Sequence, residues 1–192
     1  MLTTFTAPAF AGTWYIEDGD ITISAGESGN DVTQNNVTTK NDTNTIITNE
    51  NKDIASSHTV TIDAKDKDDK VEVTLKDVNI DTSKQSKAAV SVTGSGDTTI
   101  ELDGDNELKS GRNRAGLEHN QTVDSEGNVT SGKLTIQDDN DKAGSLDATG
   151  GLYGAGIGGG DAQNGQVTIT GGDITATAGS TAGSYQTSGG GA

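Results

Sequence analysis

Two short acidic segments, 103–107 and 138–141, are the first candidates for chemistry in this chain of 192 residues. Each follows a strand-like triplet at the same position of successive repeat units, so stacking of the units would bring their carboxylates close together. Calcium takes six to eight oxygen ligands from flexible carboxylates and carbonyls, and a shared ion would relieve the repulsion. The alternative is a pair of solvated acidic turns. The candidate calcium ligands are Asp103, Asp105, Asp138, Asp139 and Asp141.

Two tyrosines are the candidates for contact with a ligand. Tyr153 and Tyr185 lie at equivalent steps of adjacent units, which would make them a two-ring platform for a polysaccharide. The alternative is that they cover glycine-rich corners.

Arg112 and Arg114 follow the first acidic segment. An arginine beside calcium-binding aspartates is typical of a calcium-dependent lyase, in which it removes a proton beside a uronate carboxylate. The alternative is a charged loop whose arginines balance the nearby acidic residues.

The two histidines are weaker candidates for a functional site. His58 and His119 stand alone in loops, with no second His and no Cys beside them, so neither is predicted to bind a metal or to act as an acid or base.

Composition excludes several classes of protein. The 29 acidic and 13 basic residues give a formal net charge of −16, which would repel nucleic acid. No segment approaches the roughly 20 apolar residues of a membrane-spanning helix, and the absence of Cys excludes disulfides and thiolate zinc sites. Leu, Ile, Val and Phe make up 34 residues, about 18% of the chain, which by itself is typical of disorder.

The position of the apolar residues argues against disorder. They fall in short triplets with a polar centre, such as Ile21-Thr22-Ile23, Val60-Thr61-Ile62 and Leu134-Thr135-Ile136. Alternation of this kind gives a strand one buried and one wet face. The triplets recur with a period of about 26 to 40 residues, and an Ala-Gly-apolar step recurs with them, as in 115–117 and 155–157.

This repetition predicts an all-β solenoid, a right-handed parallel β-helix with three short strands per coil. Stacked coils need only a thin core, which explains the low apolar content. The triplets 73–75, 100–102, 134–136 and 167–169 are predicted to be equivalent. The alternative is an antiparallel β-sandwich, whose strands also alternate, although a sandwich has no reason to repeat the Ala-Gly step.

The two ends of the chain carry separate predictions. Residues 1–12 are a signal remnant, because Ala9-Phe10-Ala11 fits a cleavage pattern, or an N-terminal cap over the first coil. Residues 13–192 are a single solenoid domain in which Trp14 plugs the end of the core. The domain is predicted to be truncated at the C-terminus, where its last coil stacks on further repeats or on another chain.

The segments 151–179 (GLYGAGIGGGDAQNGQVTITGGDITATAG) and 96–111 (GDTTIELDGDNELKSG) resemble the carbohydrate-binding, right-handed parallel β-helix domain of large surface proteins from anaerobic Gram-positive bacteria. The opening segment 13–23 (TWYIEDGDITI) is similar to the start of that domain. The resemblance implies a secreted or wall-attached protein without catalysis. Some members of that family bind acidic or cellulosic polysaccharides, with calcium held at the corners of their coils.

The expected function is therefore a non-catalytic secreted or cell-surface module that binds a polysaccharide or a host glycan, with calcium as a candidate cofactor. The first alternative is a rigid stalk or adhesin segment whose acidic coat prevents edge-to-edge aggregation. The second is the calcium-dependent lyase. No nucleic acid and no membrane insertion are expected.

Overall fold

The computed structural model describes residues 10–180, and they form an all-β structure. Val, Ile and Thr dominate the strands because β-branched side chains fit a pleated, half-buried surface. A 3₁₀ helix, Ile16–Asp18, follows the first strand. The strands are β1 (Thr13–Tyr15), β2 (Ile21–Ala25), β3 (Asn30–Gln34), β4 (Val37–Asp42), β5 (Ile46–Thr48), β6 (Val60–Ala64), β7 (Lys70–Lys76), β8 (Asn79–Asp81), β9 (Val90–Gly94), β10 (Asp97–Lys109), β11 (Leu117–Glu118), β12 (Leu134–Gln137), β13 (Gly144–Thr149), β14 (Ile157–Gly158), β15 (Val167–Ile169) and β16 (Asp173–Thr177).

These strands form three sheets. Sheet 1 contains β1, β5, β7, the first half of β10, β12 and β15, in that order and all parallel. Sheet 2 contains β8, the second half of β10, β13 and β16, again all parallel. Sheet 3 contains β2, β6, β9, β11 and β14 in parallel, with the hairpin β3–β4 added antiparallel beside β2. The long strand β10 joins sheets 1 and 2.

Residues paired in neighbouring parallel strands lie 27 to 40 positions apart along the chain. Val71 pairs with Thr98 at the short limit, and Leu108 pairs with Ala148 at the long limit. The long intervals contain inserted loops, such as the one between β11 and β12. The period predicted from the triplets is confirmed by this spacing.

The predicted register is wrong by two residues at one position. The sequence pattern placed Leu134 opposite Ile100, but the structure pairs Leu134 with Thr98 and Ile136 with Ile100. A shift of two residues keeps every side chain on its own face of the sheet. The pattern of buried residues alone therefore could not reveal the error.

The core consists of columns of equivalent side chains that run across the sheets. In sheet 1, Val73, Ile100, Ile136 and Ile169 are successive partners. The first three are at most 1% exposed, whereas Ile169, in the last described strand of the column, is 48% exposed. Its neighbourhood includes a cavity of about 450 Å³ that also touches Ile157 and Val167. The column is thus open at its C-terminal end within the described residues.

A buried carboxylate stabilises the N-terminal end of the described structure. Asp42 is 1% exposed, and its carboxylate accepts hydrogen bonds from the Gly12 N–H at 2.9 Å and the Trp14 Nε1–H at 2.8 Å. The Trp14 ring packs against the core and meets Phe10 edge to face, with 6.4 Å between ring centroids. The predicted role of Trp14 at the end of the core agrees with this position. The predicted signal remnant or cap lies mostly outside the described residues, since residues 1–9 are not among them.

Antiparallel pairing within residues 10–180 is limited to β2–β3, β3–β4 and an isolated bridge between Val123 and Val129. Asn35 and Asn36, with φ of 53° and 62°, make the turn between β3 and β4. Positive φ at both central residues matches the right-handed twist of the flanking strands. The sandwich alternative would require antiparallel neighbours throughout, whereas the remaining strand pairs of the described structure are parallel.

Candidate ligand-binding groove

The acidic corner lies where β10 passes from sheet 1 to sheet 2. Glu101 pairs with Gln137 and Gly104 pairs with Gly144, so the segment 138–143 is an insertion beside Asp103. Both predicted acidic segments therefore lie at the same corner of neighbouring strands.

These carboxylates contact lysines, a serine hydroxyl and a backbone N–H group. Asp103, 8% exposed, has its Oδ2 at 3.1 Å from Lys142 Nζ and at 3.7 Å from Lys76 Nζ. Asp105 accepts a hydrogen bond from Ser145 Oγ at 3.1 Å. Asp138 accepts the Gly144 N–H at 3.2 Å.

A different acid, Glu101, binds backbone N–H groups of the loop 138–143 at this corner. Glu101, 7% exposed, accepts the N–H groups of Asp139 and Asn140 at 2.9 and 3.1 Å. Asp139 and Asp141 themselves are exposed. Across residues 10–180, no three His, Asp or Glu side chains converge as a metal site would require. Among the described residues, Asp103 pairs with two lysines, Asp105 and Asp138 accept hydrogen bonds from Ser145 and Gly144, and Asp138 Oδ1 is buried without a hydrogen-bond partner.

A polar groove on the surface of sheet 3 brings together the two predicted arginines, Arg112 and Arg114. It consists of two adjacent cavities of about 320 and 230 Å³ that share Ser86 and Arg114. The groove crosses β6, β9 and β11 and reaches the turn after β14. We call it the arginine groove, and it is lined by Thr59, Thr61, Ser86, Lys87, Ala88, Ser91, Arg112, Asn113, Arg114, Glu118, Asn120, Gly160, Asp161 and Gln163.

A buried carboxylate fixes the centre of the arginine groove. Glu118 has a side chain that is 3% exposed, and its Oε1 lies 2.9 Å from Arg114 Nη1. Its Oε2 accepts the Ala115 N–H at 3.1 Å, and Asn120 Nδ2 donates to Oε1 at 3.2 Å. A Cβ on Gly160 would lie 2.9 Å from Glu118 Oε2, so this approach requires glycine. The guanidinium is positioned by a satisfied network, and its side chain remains 45% exposed toward the groove.

Tyr153 forms the rim of the groove together with Arg112. Its φ of 71° places it at a turn, and the Arg112 guanidinium carbon lies 5.6 Å from the centre of the ring. A cation over an aromatic face is attracted by the ring quadrupole. Tyr153 is half-buried and Arg112 is exposed, so both present surface to solvent. The predicted platform also needs Tyr185, which lies outside the described residues.

The lining of the groove carries a net charge of +1, from three cations and the two acids Glu118 and Asp161, on a chain of net charge −16. Lys87 adds a third cation to Arg112 and Arg114, and its Nζ lies 3.8 Å from Asp20 Oδ2. Burial acts to raise the pKa of Asp20, but the Thr59 N–H hydrogen bond and the charges of Lys87 and His58 outweigh it, so this pKa lies below its usual value. Asp20 therefore stays ionised at neutral pH and holds Lys87 beside the groove.

The two histidines have structural neighbours. His119 is 2% exposed, and its ring nitrogens lie 3.1 Å from the Val92 carbonyl and 2.9 Å from the Gly132 carbonyl. These contacts tie the base of the 120–131 loop to β9. His58 Nδ1 lies 3.4 Å from Asp20.

Sequence reasoning singled out Arg112, Arg114 and Tyr153 but did not assemble them into one site. It missed Lys87, Glu118 and the hydroxyl groups of β6 and β9, because the residues come from strands that are 27 to 40 positions apart. One usable signal was the spacing of Arg114 and Glu118, four residues apart with opposite charges.

No family model matches the chain, and neither the curated proteins nor the solved structures contain a match to it. The resemblance found in segments 13–23, 96–111 and 151–179 therefore stays a prediction. None of the helical structure within residues 10–180 has the length and apolar character needed to cross a bilayer.

Proposed function

We propose that this protein is a non-catalytic module that binds a polysaccharide through the arginine groove. The observation that carries the proposal is the position of Arg112 and Arg114 in the lining of this polar groove, with Tyr153 packed against Arg112 beside it. Neighbouring strands lie about 4.8 Å apart, so a groove across β6, β9 and β11 extends for roughly 10–15 Å. That length suits several consecutive sugar rings.

The charges of the groove favour a polysaccharide that carries carboxylates or sulfates. Arginine presents planar pairs of N–H donors that match a carboxylate, and a tyrosine ring offers an apolar face to a sugar. The surplus acid elsewhere on the protein repels a polyanion at a distance, but at physiological ionic strength this repulsion is screened beyond about 8 Å. Contact within the groove then decides binding.

The proposed scaffold is the right-handed parallel β-helix with three strands per coil. Its support is the order of the strands, which passes repeatedly from sheet 1 to sheet 2 to sheet 3, as in β7, β8 and β9 or β12, β13 and β14. Each strand then pairs with its equivalent in the next round. A small-angle scattering profile of an elongated rod would support the coil, and the profile of a compact sphere would contradict it.

Binding is tested by calorimetry with polygalacturonate and with its neutral methyl ester. We expect the acidic polymer to bind, and Arg112→Gln to weaken binding about tenfold, which is roughly 1.4 kcal/mol. The matched control is Lys65→Gln, which removes one positive charge from an exposed loop residue that does not line the groove. Equal affinity in both variants, or no binding of any polysaccharide, would contradict the proposal.

The absence of a catalytic step is part of the same proposal, with the lyase as its rival. Arg114 is paired with Glu118 and Arg112 lies over Tyr153, so both guanidinium groups are positioned to hold an anion. Incubation with polygalacturonate across a range of calcium concentrations tests this directly. Release of unsaturated sugar would establish the lyase instead.

The second candidate is a stalk or adhesin segment on a bacterial surface. The exposed Ile169 at the end of a core column favours it, because stacking on further coils or on another chain would bury this side chain. A glycan array separates the two functions, since specific retention supports the module and silence supports the stalk. Fractionation of the source cells tests the proposed location, which is secreted or on the cell wall.

A further inference from the structure

Three pairs in the chain join an Asp or Asn to a following glycine: 18–19, 103–104 and 164–165. At such pairs the glycine nitrogen can attack the side-chain carbonyl carbon of the preceding residue, because glycine has no Cβ to hinder the approach. The product is a five-membered succinimide. The reaction needs a glycine N–H that is free to lose its proton and a side chain that is free to turn onto the backbone.

The fold restrains two of these pairs. Gly104 lies inside β10, and its N–H donates to the Ala143 carbonyl at 3.1 Å. Asp103 is held by Lys142 and Lys76, as described above. The N–H of Gly19 donates to the Ile16 carbonyl at 3.4 Å.

The third pair, 164–165, lacks the restraints described for the other two. Asn164 is exposed and lies in the irregular segment between β14 and β15. Neither its side-chain amide nor the Gly165 N–H has a hydrogen-bond partner among residues 10–180. Gly165 itself packs closely, because a Cβ there would lie 2.5 Å from the Gly159 nitrogen. A side chain would therefore not fit at position 165, and glycine at this position leaves its nitrogen unhindered for attack on the Asn164 side chain.

We propose that Asn164 is a site of spontaneous deamidation. The Gly165 nitrogen forms a bond to Asn164 Cγ as its proton passes to solvent, the Cγ–Nδ2 bond breaks, and ammonia leaves. Water then opens the succinimide at either of its two C–N bonds, which gives aspartate or isoaspartate. No oxidant or reductant is required, and water is the only other reactant.

The product changes both charge and backbone. Either form adds a carboxylate at the rim of the cavity that touches Ile157 and Val167. Isoaspartate also lengthens the main chain by one methylene. That change displaces the Asn164 carbonyl, which accepts the Gln121 N–H at 2.7 Å and joins this turn to the 120–131 loop.

The test is incubation of the full chain at mildly alkaline pH, followed by anion-exchange chromatography and peptide mapping by mass spectrometry. We expect a more acidic species to accumulate, with conversion at Asn164 several-fold faster than at any other asparagine. In the urea-unfolded chain, isomerisation at Asp103 should appear as well, because unfolding removes its restraints.

Two variants identify the source of the acidic species. Asn164→Gln should abolish it, since the longer side chain cyclises poorly, whereas Asn140→Gln, at another exposed loop asparagine, should leave it unchanged. Persistence of the acidic species in Asn164→Gln, or first conversion at a different asparagine, would overturn the proposal. The readout needs no glycan, so the result is independent of the proposed binding function.

Discussion

Glu118 and Arg114 form an ion pair in which the acid is buried and the base reaches solvent, with side chains 3% and 45% exposed. The carboxylate also accepts hydrogen bonds from Ala115 and Asn120. The pair thus links the core side of β11 to the floor of the arginine groove. Its geometry explains how the short strand β11 can hold a cation in a fixed position at the surface.

Glu118→Gln tests this link. The amide loses the charge and can accept at only one of its two ends, so we expect the free energy of unfolding to fall by roughly 1–3 kcal/mol. Polysaccharide affinity should fall as well, because Arg114 is no longer fixed. Urea denaturation and calorimetry measure the two effects. Glu126→Gln, at an exposed acid in the 120–131 loop, is the control and should change neither.

Asp42→Ala should be among the more destabilising single changes. It leaves the N–H groups of Gly12, Asn44 and Trp14 without their acceptor, and each buried unsatisfied donor costs about 1–3 kcal/mol. Partial access to water lowers the sum, so we expect a loss of roughly 2–4 kcal/mol. Trp14 is the single tryptophan, so its fluorescence reports the same corner during unfolding. An unchanged urea midpoint would contradict the described role of Asp42.

Thr98→Val should stabilise the protein. Thr98 is 1% exposed in the column between Val71 and Leu134, and its hydroxyl has no hydrogen-bond partner among the described residues. Replacement of that hydroxyl by a methyl group removes a desolvation penalty of about 1 kcal/mol or more. Thr99→Val, on the outward face, should give no comparable gain. A lower melting temperature for Thr98→Val would indicate a partner for the hydroxyl.

Acid should destabilise the fold below about pH 4. The Lys40 hydrogen bond lowers the pKa of Asp31, and the hydrogen bonds from Ser83 and Asn128 lower those of Asp81 and Asp124. A pKa that is lower in the folded state means that the contribution is complete above the unfolded value and is lost as pH falls through the folded value. A series of melting temperatures from neutral pH downward measures it. Asp31→Asn should show a smaller acid-induced decrease than the unmodified protein.

Calcium removal distinguishes the two explanations of the acidic corner. Because Lys142 and Lys76 already neutralise Asp103, we expect a chelator to leave the melting temperature unchanged. Lys142→Ala should then lower stability only slightly, as a partly exposed ion pair does. A drop in melting temperature with the chelator that added calcium restores would establish the calcium site predicted from the sequence.

The sequence predicted the strands and the period because both depend on local alternation and on glycine corners. It could not predict that β10 continues through the corner as one strand of 13 residues, since Gly104 and Asn106 look like a turn. The hairpin at Asn35 and Asn36 was missed although an Asn-Asn pair between Val32 and Val37 is a turn signal.

The candidate site was predicted only in its parts. The calcium hypothesis considered the aspartates of segments 103–107 and 138–141 without Lys142, which follows the second segment, and without Lys76 on the preceding strand β7. Lys76 lies 27 residues before Asp103 and Lys142 lies 39 residues after it. Contacts between neighbouring strands depend on the exact register. The alternation of apolar and polar residues does not distinguish registers that differ by two residues, so these contacts could not be predicted from it.

The pairing of Thr98 with Leu134 has a consequence for protein engineering. Both residues occupy equivalent positions in neighbouring parallel strands, so excision of residues 98–133 would join Asp97 to Leu134 with the direction and face of the chain preserved. The shortened protein would lose Arg112 and Arg114 and would place Leu134 beside Val71, where Thr98 lies now. Such a molecule can be shortened by one whole interval between paired strands, whereas removal of a single residue from a strand would turn its inward side chains out.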